Sequence, residues 1–481
     1  MTSVATDSAG GNPEAVATVA ALLATARAAQ QRYAQFDQQV VDRAVLSAGW
    51  AIMEPARNQE LAELAVADTG LGDVADKIAK NHRKTLGLVR DLAGARSVGV
   101  ISHDEATGVT EIARPVGVVA AITPSTNPGA TPANKIINAL KGRNAIILAP
   151  SPKGWTTANR LIEFVHRELQ RAGMAPELAQ GLVQVLPAPV TKATTHELMR
   201  QADLIVATGS QANIRAAYSS GTPAFGVGAG NASVIVDASA DLAAAARAIA
   251  LSKTFDHATS CSSENSVVIL DSVYEQMVAE LTALGGHWLD GAQKSALQQT
   301  MWPEGRLAAA ITARPASKIA QQAGLTVPER CQFLLVPETG FGADHPFSGE
   351  KLSPVLAVYR ARDFDHAVEI VSRIYAYQGA GHSVGLHSAQ SEPQAMQLAE
   401  QLPVSRVIVN QAHCIATGGS FDNGLPFSLS MGCGTWGGNS FSDNMNYTHY
   451  LNITRIARPI APVEPSTDDI FGAYFEQVGR G

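Results

Sequence analysis

Apolar and polar positions change rhythm along this chain. From Pro13 the period is helical: Val16, Val19, Leu23 and Ala26 fall on one face, and Val40, Val41, Ala44, Val45, Ala48 and Ile52 form a second stripe. Two or three helices therefore open the protein. Further on, short β-branched runs alternate with amphipathic stretches. VGVVAAI (116–122), NAIILA (144–149), LVQVL (182–186) and DLIVA (203–207) read as strands. ANKIINALKG (133–142) and TTANRLIEFVHRELQRAG (156–173) read as helices, the first ending at Gly142, and a helical stretch separates the last two strands. Strands that are apolar throughout and alternate with helices indicate a parallel sheet covered on both faces, and the doubly wound nucleotide-binding architecture is the leading reading. A second α/β series runs from about 234 to 410, with SVVIL (266–270), FLLVP (333–337), SPVLAVY (353–359) and SRVIVN (405–410) as its strands.

Two segments belong to neither series. ISHDEATGVTEIARP (101–115) alternates about a polar centre, a hairpin signal, and YTHYLNITRIA (447–457) is a late β-prone strand. These are expected to pair with each other or with another subunit. After Arg458 the chain is Pro-rich and then helical: Ser466 and Asp469 stand at capping-box spacing, and Ile470, Phe471, Tyr474, Phe475 and Val478 make an apolar face. This helix is expected to fold back on its own subunit, with docking to a partner as the alternative. Residues 1–13 are small, polar and Gly-rich and read as a flexible tail.

The 481 residues are 46% hydrophobic and 16% charged, a globular composition with room for two or three domains. A net charge of -7 without a basic block argues against nucleic-acid binding. No apolar run is long enough to span a membrane. The N-terminus lacks a basic region followed by an apolar core, so a cytoplasmic location is expected. The four cysteines, Cys261, Cys331, Cys414 and Cys433, include no CxxC pair, which argues against a structural zinc. Each is either a small buried hydrophobe or a nucleophile.

Five stretches carry candidate chemistry. SKTFDHATSCSSENSVVIL (252–270) sets Cys261 in a polar loop between a helical stretch and a strand, where nucleophiles are commonly held. Local context leaves the catalytic and structural readings about even. At Thr208-Gly209-Ser210 a strand gives way to a helix, either an anion-binding turn or an ordinary turn capped by Ser210. FGVGAGNAS (225–233) reads as a Gly-rich loop that lines a cofactor or turns the chain, and no well-placed GxGxxG is present. In ITPSTNPG (122–129), Asn127 either offers its amide to an oxyanion or stabilises a turn before Pro128. In GEKLSPVLAVY (349–359), Glu350 alone reads as a solvated loop charge.

Their order along the chain resembles the aldehyde dehydrogenase superfamily, in particular its CoA-acylating branch, over residues from about 14 to 458. The resemblance rests on PVGVVAAITPSTNP (115–128), RNAIILAPSPK (143–153), YSSGTPAFGVGAGN (218–231), SKTFDHATSCSSE (252–264), EKLSP (350–354), GAGHS (379–383) and GCGTWGGNS (432–440). It implies a fold of two doubly wound parallel-sheet domains with a β oligomerisation arm. Residues 14–100 and 116–233 would form the cofactor-binding domain and 234–420 the catalytic domain. Residues 101–115 and 441–458 would form the arm, and 459–481 a C-terminal tail. It further implies that the Cys261 thiolate attacks an aldehyde to give a thiohemiacetal, and that hydride transfer to a nicotinamide leaves a thioester. Asn127 and the Cys261 N–H would face the oxyanion, and Glu350 would hold the nicotinamide ribose, replacing the solvated-charge reading. Thr123, Pro124, Ser125, Pro150, Lys153, Thr208, Gly209, Ser210 and Gly228 fall at the remaining cofactor positions.

Departures from the hydrolytic branch carry the finer expectations. Hydrolytic members place a water-activating glutamate in a Glu-Leu-Gly-Gly-Lys loop, where this chain has Val227-Gly228-Ala229-Gly230-Asn231. Without that base water is a poor acceptor, and coenzyme A is expected to take its place. The adenosine-ribose lysine of hydrolytic members is replaced by Ala149. Lys153 lies four residues on, so the expectation leans to NADP over NAD. His382 in GAGHS matches a histidine of the acylating branch, placed for proton transfer at the thioester or for contact with CoA. Cys414 and Cys433 read as structural. KNHRKTLGLVRDL (80–92) and the tail are most like acylating sulfoacetaldehyde members, with succinate semialdehyde and acetaldehyde enzymes as alternatives. A homodimer or homotetramer is expected. The rivals are a hydrolytic aldehyde dehydrogenase and an inactive scaffold.

Overall fold

The computed structural model describes residues 12–481. All but the last two residues of the expected 1–13 tail lie outside them. Four helices open the described chain: α1 (Pro13–Tyr33), α2 (Gln38–Met53), α3 (Pro55–Thr69) and α4 (Val74–Leu92). Their starts are written in side chains. Asn12, Asp37, Glu54 and Asp73 each accept a backbone N–H of the first turn, and Pro13 and Pro55 take the first helical positions, where no N–H is needed.

The strands in chain order are β1 (Gly99–Asp104), β2 (Val109–Pro115), β3 (Val118–Thr123), β4 (Ala145–Pro150), β5 (Val183–Val185), β6 (Leu204–Thr208), β7 (Ala224–Val227), β8 (Ser233–Val236), β9 (Ser266–Leu270), β10 (Gly286–Trp288), β11 (Phe333–Pro337), β12 (Val355–Ala361), β13 (Val384–His387), β14 (Val407–Val409) and β15 (Leu451–Ala457). A five-stranded parallel sheet has the order β5-β4-β3-β6-β7. A seven-stranded parallel sheet has the order β10-β11-β12-β9-β8-β13-β14. Every residue of β3, β4, β8 and β9 is buried, as the unbroken apolar runs require of strands covered on both faces. One apolar cluster surrounds the smaller sheet, and two others line the opposite faces of the larger one. The two doubly wound sheets are those expected.

β1 and β2 form the antiparallel hairpin, and β15 adds to β2 as a third antiparallel strand. Residues 447–450 form a 3-10 turn that leads into β15. Three features differ from the sequence reading. The first half of the expected 225–233 loop is strand β7, paired with β6, so only 228–232 turns the chain. Ser233, placed at the end of the first domain, begins β8 of the larger sheet. The C-terminal helix (Thr467–Val478) carries its capping box but buries no residue, with Ile470 60% and Tyr474 59% exposed, so its apolar face does not fold back on the subunit. No described helix is long and apolar enough to cross a membrane.

Candidate active site

In the smaller sheet, β4 and β6 flank β3 on opposite sides, so the winding direction reverses between β3 and β6. Open α/β sheets bind ligands outside the carboxyl ends of their strands at such a switch. Thr123 and Pro150 end β3 and β4 side by side, and the Ser151 N–H bonds the Thr123 carbonyl at 3.0 Å. Pro124 and Ser125 follow in a half-buried loop, and Lys153 stands exposed in the turn Pro152–Gly154. Thr208 ends β6 with its hydroxyl 2.8 Å from that of Ser430. Gly209 follows, and Ser210 caps the helix Gln211–Tyr218, so the capping reading holds at this residue. Gly228 lies against that helix, where an added Cβ would stand 2.5 Å from the Gln211 amide. The Thr123 hydroxyl is buried without a partner, a polar atom left over at the strand end. These residues fit a dinucleotide held at the switch.

Cys261 lies in the loop between the helix Leu242–Thr254 and β9, and keeps partial exposure. The loop enters through three consecutive left-handed residues, Asp256, His257 and Ala258, with φ of 51°, 50° and 56°. None is glycine, so each stores strain that its surroundings must hold. The holding group is the Asp256 carboxylate, fully buried, which accepts from the Asp73 N–H (2.8 Å), Lys77 Nζ (3.1 Å), Lys80 Nζ (2.5 Å) and Thr259 Oγ1 (2.7 Å). Burial opposes its ionisation, but Lys80 and Lys77 overcome that and hold its pKa below the usual carboxylate range. Lys80 also donates to Asn127 Oδ1 at 2.9 Å. One ammonium thus ties the nucleophile loop to the Asn127 amide and leaves the amide NH2 as the donor for an oxyanion.

Cys261 Sγ lies 3.5 Å from His382 Nε2. The ring is oriented from behind: Nδ1 is 2.7 Å from Ser383 Oγ, which is 2.8 Å from His413 Nε2. Burial, with Arg406 and His413 nearby, pushes His382 down to about 3, so at neutral pH it is an uncharged imidazole facing the thiol. Arg406 fixes the backbone here, donating to the carbonyls of His382 (3.2 Å) and Gly432 (2.9 Å). At Gly381, φ is 91° and a Cβ would meet the Cys433 carbonyl at 1.9 Å, so only glycine lets the 432–440 loop close behind the histidine.

The thiol needs a lowered pKa to react well, and the protein's own groups do the opposite. Burial, the Glu350 carboxylate and Cys433 push Cys261 up to about 12, against its own backbone N–H and Arg406. Glu350 is pushed up to about 8, chiefly by burial, and accepts the Gly230 N–H at 3.1 Å. The loop from Val227 to Asn231 carries no carboxylate. A Cβ at Gly230 would come within 2.4 Å of the Cys261 carbonyl oxygen, so this loop and the nucleophile loop touch backbone to backbone. The Asn231 amide is spent on the carbonyls of Ser348 and Gln378.

Cys261, His382 and Glu350 are therefore brought together, Asn127 reaches them through Lys80, and the strand-end residues gather at the other sheet. Sequence reasoning missed Asp256, Lys80, Lys77 and the Ser383–His413 pair. Lys77, Lys80 and Lys84 share one face of α4 by spacing, and that was the available signal. Cys414, read as structural, is buried, and it also lines a small cavity with Asn127 and Ser260.

The aldehyde dehydrogenase family profile matches residues 9–300. The acylating sulfoacetaldehyde dehydrogenase of Cupriavidus necator is 64% identical over 97% of this chain and 94% of its own length. The acetylating succinate-semialdehyde dehydrogenase of Clostridium kluyveri is 36% identical over 94% of this chain and 98% of its own. Among solved structures, an acetylating aldehyde dehydrogenase from Geobacillus thermoglucosidasius superposes with a TM-score of 0.89 at 36% identity, covering 94% of this chain and 99% of that one. With the nucleophile loop, the switch-point crevice and these likenesses together, the chain belongs to the aldehyde dehydrogenase family.

Proposed function

We propose that the protein oxidises a short aldehyde to its acyl-CoA thioester, with sulfoacetaldehyde as the first candidate substrate, NADP ahead of NAD as hydride acceptor, and coenzyme A as acyl acceptor. The observation that carries this reading is a cysteine facing a neutral histidine, beside a loop without the water-activating carboxylate. Cys261 gives its proton to His382 and attacks the carbonyl carbon, forming a C–S bond. The oxyanion is met by the Asn127 amide and the Cys261 N–H, and one such donor contributes about 3 kcal/mol. A bound nicotinamide supplies the acceptor for the hydride that leaves that carbon, and the oxyanion closes to a thioester on Cys261. His382 passes that proton to solvent and then takes the proton of the CoA thiol. The CoA sulfur attacks the thioester, and the Cys261 thiolate leaves.

Thr123, Thr208, Gly209, Ser210 and Gly228 border the proposed dinucleotide site, Glu350 is the ribose ligand beside the thiol, and Lys153 is the cation for an adenosine 2′-phosphate. We further propose the domain limits given above, with the first boundary moved to about 228–232, and an oligomer built through the β1–β2–β15 sheet, whose strands β1 and β15 are mostly exposed. The Cupriavidus necator relative supports the choice of sulfoacetaldehyde.

The test is an aldehyde panel with and without CoA, run with NAD and NADP in parallel, with the acyl-CoA product identified by mass. Product formed at the same rate without CoA would sink the acylating reading. Full activity in Cys261→Ala would remove the nucleophile from the mechanism.

A further inference from the structure

Beside Asn127 and Ser260 lies a narrow cavity. Phe255, Ile415 and Leu429 give it apolar walls, and Lys80, Arg83 and Lys84 of α4 give it cationic ones. Its volume is about 40 Å³, where ~10–15 Å³ holds one water. It therefore admits a chain of a few heavy atoms and not the phosphate chain of a nucleotide.

The three cations are not equally free. The Lys80 ammonium is used up on Asp256, Asn127 and Thr259. Arg83 spends only Nη2, on the carbonyls of Ile415 and Gly419 and the Ser420 hydroxyl. Its Nε and Nη1 have no partner among the described residues. Lys84 donates to the carbonyls of Gly418 (2.7 Å) and Gly419 (3.4 Å), which leaves one N–H, and burial lowers its pKa to about 7, so it carries only part of its charge at neutral pH until an anion joins it. Of the buried carboxylates nearby, Asp256 is already shared by Lys77 and Lys80, and Glu264 faces Lys253. Asp422 is exposed and attracts Arg83 from a distance without hydrogen bonding to it. Both cations also stand over the Phe427 ring at 5.5 Å, and a half-buried guanidinium and a buried lysine that hydrogen-bond only neutral oxygens are a built site for an anion.

We propose that Arg83 and Lys84 form the subsite for the negatively charged tail, sulfonate or carboxylate, of a short aldehyde whose carbonyl is held at Cys261. This rests on the aldehyde-oxidising reading above and adds the residues that select the substrate. Arg83 presents Nε and Nη1 to two oxygens of the anion, Lys84 adds a third donor, and the apolar walls cover the methylenes between.

The test compares kcat/KM for sulfoacetaldehyde and succinate semialdehyde with that for propionaldehyde at saturating CoA, in the wild type, Arg83→Gln, Arg83→Lys and Lys84→Met. The anionic-to-neutral ratio falls about 30-fold in Arg83→Gln, the loss expected for a charge-assisted pair, and recovers in part in Arg83→Lys. The larger fall of the two anionic substrates names the anion. An equal fall on charged and neutral aldehydes, an unchanged ratio, or an effect confined to the KM for CoA would overturn the subsite. A second measurement needs no variant: ethanesulfonate should slow iodoacetamide labelling of Cys261 in the wild-type protein, and propanol should not. Equal labelling in the two solutions counts against the subsite. CoA-independent oxidation by the wild type would defeat the acylating reading alone, because the ratio between aldehydes is still measured.

Discussion

Asp256→Asn isolates what holds the catalytic loop. The side chain keeps its shape, but the charge goes, and one acceptor oxygen becomes an NH2 pointed at donors. The carboxylate meets two ammonium groups, a hydroxyl and a backbone N–H at full burial. Removing one partner of a buried pair costs about 3–5 kcal/mol. The loss is softened because burial already lowers Lys77 to about 8, so this lysine can shed its proton. The three left-handed residues that the carboxylate pins store roughly 1–3 kcal/mol each and would relax. Lys80, freed from the loop, would no longer position Asn127, and losing an oxyanion donor costs ~100–1000-fold in kcat.

The assay is calorimetric Tm at one scan rate, with kcat, for Asp256→Asn, Lys80→Met and the double variant. Each single change lowers Tm and kcat. In the double variant the surplus ammonium is gone, so Tm recovers above the sum of the single losses by a coupling of about 0.5–3 kcal/mol, while kcat stays low because Asn127 has lost its anchor. The pH sign follows from the lowered folded pKa of Asp256. Its contribution is present above the unfolded value of ~3.9 and is lost as pH falls through the folded value. The Tm gap between wild type and Asp256→Asn should therefore hold at neutral pH and close only below about pH 4. Additive Tm losses, or wild-type kcat in Asp256→Asn, would refute the reasoning.

Three further outcomes are expected. Because burial, Glu350 and Cys433 push the Cys261 thiol up to about 12, its alkylation rate without added cofactor should climb through alkaline pH without the plateau near ~8.5 of a free cysteine. Glu350→Gln should move the rise to lower pH, and superimposable profiles would rule out the carboxylate as a cause. With His382 held down to about 3, His382→Gln should lower kcat by roughly 100-fold and equally across pH 5–8, and a loss confined to one side of pH 6.5 would mean the ring titrates where it works. Deleting residues 462–481 removes a helix that buries nothing, so subunit Tm should shift by no more than about 1 °C with kcat retained, and a larger fall would place the helix against a partner subunit.

The sheets were legible because a strand buried on both faces writes itself as an unbroken apolar run, as β3, β4, β9 and β11 do. β10 was missed because its Gly-His-Trp has no apolar run, and β7 was hidden because its Phe-Gly-Val continues into glycines. The candidate site was legible only where residues cluster in sequence, as around Cys261 and Asn127. The link between them was not, because Lys80 meets Asp256 across 176 positions and no local period records such a contact. The raised pKa of the thiol was not legible in the sequence for a related reason. A Ser-rich loop looks solvated in sequence, yet Glu350 and the closing glycine loops leave Cys261 only partly exposed.

Helix α4 shows why charge is the hardest pattern to read. Lys77, Lys80 and Lys84 repeat at helical spacing, which normally marks a solvated face, and all three are buried. The helix can turn them inward because each finds oxygen there: Asp256 for the first two, the carbonyls of Gly418 and Gly419 for the third. Two duties then divide along one helix turn. Lys80 is saturated by the loop and by Asn127, so its loss should slow every aldehyde alike. Arg83 keeps donors in reserve, so its loss should be felt in proportion to the charge on the substrate. If both proposed roles hold, one helix ties the Cys261 loop and the substrate's charged tail together, and aldehydes of differing length should respond differently to Arg83→Gln.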